Sequence, residues 1–180
     1  MLKEKNIILG ITGSIAAYKI VSLVRILKEK KYNLDIIMTK NACQFITPLT
    51  LQTLSNKPVL IDMFNSLNNF EIEHIALADK ANLILIAPAT ANIIGKIASG
   101  IADDLLSTVI MATKSQVLIA PAMNVNMYNN LIVQQNIKKL QTLNYKFIGP
   151  EKGKLACGKE DEGRLICLEK IVDMVDKLLK

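Results

Sequence analysis

The 180 residues predict a three-layer α/β/α architecture built on a parallel sheet, and three observations carry that expectation. Short apolar runs of strand length alternate about six times with stretches of helical spacing. The runs at 82–87 and 117–120 are apolar without polar alternation, as in strands covered on both faces. Most runs end in Gly, Ser, Thr, Asn or Pro turns, which puts polar groups on the carboxyl edge, where open α/β sheets hold ligands. A doubly wound, Rossmann-like sheet of about six strands in the order 3-2-1-4-5-6 follows.

Residues 6–11 form the first strand, and Thr12-Gly13-Ser14 turns it into a helix running from Ile15 to about Lys30. Gly13 and Ser14 make that turn a candidate anion site, because the glycine is conformationally free and the hydroxyl stands beside open helix-start N–H groups. An ordinary βα turn explains the same residues. The second strand, 34–38, ends in Thr39, which either contacts a cofactor or caps the helical turn through Ala42 and Cys43. A helix from Pro48 to about Leu54 and a third strand at 59–63 follow. Segment 65–70 is turn-rich and leads into a helix carrying His74, the only histidine in the chain. A multi-histidine metal site is therefore excluded, and any imidazole acid–base role rests on His74.

The fourth strand ends in Pro88-Ala89-Thr90-Ala91-Asn92 and is followed by a helix bearing Lys96. Asp103 and Asp104 suit the positive end of the next helix. Strand 117–120 leads to Pro121-Ala122-Met123-Asn124. Asn124 is a candidate substrate reader, since an amide can hold a carboxylate without forming a full ion pair. The competing reading is that Asn124 or Asn126 caps the helix beginning near Met127. A helix over 129–143, a sixth strand at 146–148, a glycine- and charge-rich flexible loop over 149–166, and a helix over 168–179 complete the chain.

About half the residues are apolar, enough for one domain over 1–180 with a sizeable core. No run approaches the roughly 18 residues of a membrane span, so a cytoplasmic protein is expected. Three cysteines without a Cys-x-x-Cys pair suggest neither a disulfide framework nor a thiolate metal site. The formal charge of +6 favours anionic ligands. Few aromatics and no reader motif argue against nucleic acid, so a phosphorylated small molecule fits better.

Pro121-Ala122-Met123-Asn124-x-x-Met127-Tyr128 resembles the signature of the homo-oligomeric flavin-containing cysteine decarboxylases, whose members include phosphopantothenoylcysteine and peptidyl-cysteine decarboxylases. Landmarks from Gly10 to Arg164 follow the family's order. They include Gly100-Ile-Ala-Asp103-Asp104-Leu-Leu106 and a flap-like Leu155-Ala156-Cys157-Gly158 with Gly163-Arg164 downstream. Departures are Thr90 for Ser, Ile93 where Thr is frequent, Lys159 where Asp is common, and Asp161 for an internal Gly.

The resemblance implies FMN as cofactor, its phosphate served by Gly13 and Ser14, with Thr39, Thr90, Ala91, Asn92 and Ala122 around the rest. It implies decarboxylation of 4'-phospho-N-pantothenoyl-L-cysteine to 4'-phosphopantetheine in coenzyme A biosynthesis. In that reaction the thiol is oxidised to a thioaldehyde, carbon dioxide leaves, and the enethiolate is reduced. His74, Asn124 and Cys157 would be catalytic, Cys157 as proton donor, and Asn124, Met127, Ala156 and Gly158 would hold substrate. A homotrimer or a dodecamer of trimers is implied, as is a separate phosphopantothenoylcysteine synthetase supplying substrate. A peptidyl-cysteine decarboxylase, a flavin prenyltransferase and a non-catalytic flavin-fold regulator are the rival readings; the Ala-Cys-Gly flap favours the phosphorylated substrate.

Overall fold

The computed structural model describes residues 5–63, 73–154 and 160–180. Six strands, β1 (Asn6–Ile11), β2 (Asn33–Met38), β3 (Val59–Leu60), β4 (Leu83–Ala89), β5 (Gln116–Pro121) and β6 (Lys146–Phe147), form one parallel sheet. Their spatial order is 3-2-1-4-5-6, as expected from the sequence. The two halves meet at β1 and β4, so the switch point lies between the turns that follow them.

The period-two geometry of the strands divides the core in two. Ile7, Leu9 and Ile11 of β1, with Leu83, Leu85 and Ala87 of β4, face one helical layer. That layer holds α1 (Ile20–Glu29), α2 (Pro48–Ser55) and α8 (Leu168–Leu178). Ile8, Ile84 and Ile86 face α3 (Glu73–Lys80), α4 (Ala91–Ser99), α5 (Leu105–Ala112) and α7 (Leu131–Thr142). Every residue of β4 is buried, which explains its unbroken apolar run. A short helix, α6 (Val125–Tyr128), follows β5.

Packing, more than charge, fixes α8. Ile171, Val172 and Val175 are buried against the first layer, each contributing about 1.5–3 kcal/mol. Asp176 accepts from Tyr32 Oη at 2.7 Å and Lys30 Nζ at 2.8 Å on α1's side, but solvent screens contacts this exposed.

Three elements depart from the sequence expectation. The helix after β1 opens with a 3₁₀ stretch, Ile15–Lys19, before α1. β3 is only two residues long: Val59 and Leu60 pair with Ile36 and Ile37, and the chain then turns so that Ile61 to Met63 border a cleft. The expected flexible loop over 149–166 contains an antiparallel hairpin of β7 (Glu151–Lys154) and β8 (Glu160–Arg164). No apolar alternation marks it, because neither strand is rich in the residues a buried strand face needs. Among the described residues, no helix is long and apolar enough to cross a membrane.

Candidate functional site

A cleft of about 650 Å³ lies over the carboxyl ends of β1, β2, β3 and β4, within the roughly 300–1,000 Å³ usual for small-molecule sites. The turns around it are held by side chains that the strands deliver there. Thr12, buried at the end of β1, donates its hydroxyl to Pro88 O at 2.7 Å and accepts from the Thr90 N–H at 3.1 Å. One side chain thus ties the two strand ends across the switch point. Thr90 in turn caps α4 by accepting from Ile93 N.

Gly13 borders the cleft, and its bare Cα has a packing reason: an added Cβ would lie 2.6 Å from Asn41 Cβ in the turn after β2. Its φ is not positive, so close approach and not left-handed backbone requires the glycine. Ser14 Oγ accepts from Ala16 N at 3.4 Å and caps the 3₁₀ stretch. Thr39 lines the cleft, and its hydroxyl accepts from Ala42 N at 3.3 Å, in line with the capping expected of it.

Gly13, Thr39, Thr90, Asn92 and Met127 are therefore brought together at one cleft. Ser14 and Ala91 flank it in sequence beside Gly13 and Thr90. Ala122 is buried, and its N–H bonds Ala89 O at 2.9 Å, holding the end of β5 against that of β4. Asn124 is exposed and caps α6, its Oδ1 accepting from Asn126 N at 2.8 Å. It stands one turn before Met127, and its carbonyl accepts from Tyr128 N. His74 is half-buried in the first turn of α3 and does not line the cleft. Ala156, Cys157 and Gly158 lie outside the described residues.

Sequence reasoning missed the charged wall. Lys96 Nζ on α4 reaches Asp103 at 2.6 Å and Asp104 at 2.7 Å, and all three residues border the cleft. Asp104 also forms a capping box with Ser107 at the start of α5. Burial opposes the Lys96 ammonium, but its two carboxylate partners outweigh this and raise its pKa. Burial likewise pushes the Asp104 carboxyl up; Lys96 and the N–H and hydroxyl of Ser107 reverse this and hold it below the ordinary carboxylate range. The signal was the spacing of Lys96 from the acidic pair, which only the turn at Gly100, with φ +70°, folds back together. Lys40 and Asp62, paired at 3.1 Å, form a second charged contact on the lining.

The comparisons with known proteins agree with this fold. The Flavoprotein family model matches residues 1–180. A coenzyme A biosynthesis bifunctional protein CoaBC of Borreliella burgdorferi is 50% identical over 175 residues, 97% of this chain and 45% of that protein. A probable phosphopantothenoylcysteine decarboxylase of Streptococcus mutans is 42% identical, covering 97% of this chain and 99% of the relative. The chain thus spans less than half the length of its bifunctional relatives but nearly all of the streptococcal one.

Among solved structures, a PPC decarboxylase mutant complexed with pantothenoylaminoethenethiol superposes with TM-score 0.88 at 30% identity, covering 97% of this chain and 98% of that one. The FMN-dependent cysteine decarboxylase SpaF superposes with TM-score 0.85 at 25% identity over 100% of both chains. This chain belongs to the flavoprotein family. Its cleft fits a flavin: Met38, Ile61, Met63 and Leu106 offer soft apolar contact to a flat ring system, and Thr39, Asn41, Thr90 and Asn92 offer hydrogen-bonding groups.

Proposed function

We propose that this chain is an FMN-dependent phosphopantothenoylcysteine decarboxylase, converting 4'-phospho-N-pantothenoyl-L-cysteine to 4'-phosphopantetheine in coenzyme A biosynthesis. The observation that carries the reading is where the hairpin is rooted. β8 meets the Asn124 turn directly, Gly163 O accepting from Met123 N at 3.0 Å, and the sequence linking β7 to β8 contains Ala156-Cys157-Gly158. The Gly163-Arg164 landmark thus meets the Asn124 turn at the carboxyl edge of the sheet, which supports a site that also draws on Cys157.

A bound flavin supplies the two-electron redox chemistry that side chains lack. The chain's own residues bind and orient. Gly13 and Ser14 take the cofactor phosphate; Thr39, Thr90, Ala91, Asn92 and Ala122 surround its other parts. The Asn124 amide, with its oxygen engaged by Asn126, uses its N–H donors to hold the substrate carboxylate until it leaves as carbon dioxide. His74 serves as base or electrostatic partner for the thiol, and Cys157 gives the proton that completes reduction. Met127, Ala156 and Gly158 complete the substrate site, closing out water. The proposal takes residues 1–180 as one cytoplasmic domain with a flap over 149–166. Its proposed assembly is a homotrimer or a dodecamer of trimers. A phosphopantothenoylcysteine synthetase supplies substrate.

Mass spectrometry of 4'-phospho-N-pantothenoyl-L-cysteine incubated with the purified protein tests this. Conversion to 4'-phosphopantetheine by the native chain, and a decarboxylated but still oxidised product from Cys157→Ser, are expected. A folded, flavin-loaded protein that leaves this substrate intact while decarboxylating peptides ending in cysteine would overturn the assignment.

A further inference from the structure

The turn carrying Asn124 is held from two sides. On one, Ala122 N–H bonds Ala89 O of β4 at 2.9 Å. On the other, Met123 N–H bonds Gly163 O of β8 at 3.0 Å. Gly163 is buried with φ +142°, a backbone conformation that side-chain-bearing residues rarely adopt. A Cβ there would stand 2.3 Å from Met123 O and 3.4 Å from Val125 N. The obstacle is backbone, so β8 or the turn would have to move by roughly 1 Å to reach ordinary contact. Asn124 moves with that turn, because its Oδ1 is bonded to Asn126 N only two residues on, so a displaced turn carries the side chain with it.

We propose that Gly163 is a positioning residue: its bare Cα lets β8 clamp the Met123–Asn124 turn, so that the β7–β8 hairpin and Asn124 keep one fixed relation. The clamp rests on geometry alone; only its consequence for turnover rests on the decarboxylase reading. Displacing Asn124 from the reacting carboxylate by about 1 Å is enough to lower turnover roughly 100-fold. Flavin binding rests mainly on the turns after β1, β2 and β4, and Ala122, its proposed contact after β5, is pinned to β4 through its own N–H, so flavin affinity should be nearly untouched.

Amide hydrogen exchange on the flavin-loaded protein, read residue by residue, provides the test. In the native chain the Met123 amide should exchange with the cross-strand amides of β7 and β8. In Gly163→Ala it should lose protection by about tenfold or more, while the Ala122 amide, bonded to β4, stays protected. The same variant should keep flavin affinity within about twofold and lose kcat by about 100-fold with a smaller change in KM. Gly95→Ala, whose Cβ would meet nothing nearer than 3.9 Å, is the control and should alter none of these.

A Met123 amide as protected in Gly163→Ala as in the native chain would overturn the clamp, as would protection lost evenly across the sheet. Should the variant fail to fold, the native protein still decides. Met123 exchanging with the hairpin supports the clamp; Met123 exchanging with the core of β5 overturns it. A native protein with no decarboxylase activity would refute the functional reading and leave the exchange result to judge the clamp.

Discussion

Thr12 shows how one hydroxyl can shape a ligand-binding edge. It is a donor to Pro88 O and an acceptor for Thr90 N–H at once, in a buried position. Thr12→Val keeps the shape but strands the Thr90 N–H, a loss of about 1–3 kcal/mol by urea denaturation. Flavin affinity should fall with it, because Thr90 and Asn92 are displaced together. Asp104 gives a second test, through pH. Its folded pKa is depressed, so its contribution is fully present above the unfolded value of about 3.9 and is lost as pH falls through the folded value. Asp104→Asn can still cap α5 but removes the titration. Its stability should therefore decline less steeply than the native protein's below about pH 4, measured by denaturant midpoints. The helix-start role of Asp104 was readable and is realised in its cap on α5; its ion pair with Lys96 and the double role of Thr12 were not, because those partners are distant in sequence.

At the scale of elements, legibility followed burial. β1, β4 and β5 were readable because both faces are covered and the apolar runs are continuous. β7 and β8 were not, since their pairing is backbone-led and close packing there falls on Gly153 and Gly163, which carry no apolar pattern. β2 holds an exception inside a readable strand. Asp35, 8% exposed, is the register partner of Ile8; Lys57 donates to it at 3.1 Å and Lys80 forms an ion pair with it at 3.0 Å. The Lys80 contact joins β2 to the C-terminal end of α3, the helix that begins beside His74, and the Lys57 contact joins it to the segment between α2 and β3. Removing both lysines in Lys57→Ala/Lys80→Ala leaves a buried carboxylate without a counter-ion and should cost about 3 kcal/mol in a denaturant titration. Asp35→Leu should cost far less, because it removes the charge that needs the partners.

On the scale of the whole molecule, the two core faces make the sheet a rigid platform, and the site is assembled from what protrudes past its carboxyl edge. The scaffold is stabilised by packing distributed over both layers, whereas the cleft is bordered by turns and by helix starts, where local stability is lowest. Flavin binding should therefore add stability that is uneven in space. At a free flavin concentration 100 times its Kd, unfolding free energy should rise by about 2.7 kcal/mol, by mass action alone. In amide exchange the gain should concentrate at Gly13, Thr39, Asn41 and Asn92. The opposite edge, where Thr113, Gln116 and Tyr145 border a smaller cavity of about 250 Å³, should gain protection only through global unfolding. Equal gains at both edges would place the ligand elsewhere. A gain confined to the smaller cavity would move the site to the amino edge of the sheet, against the topological argument that put it at the switch point.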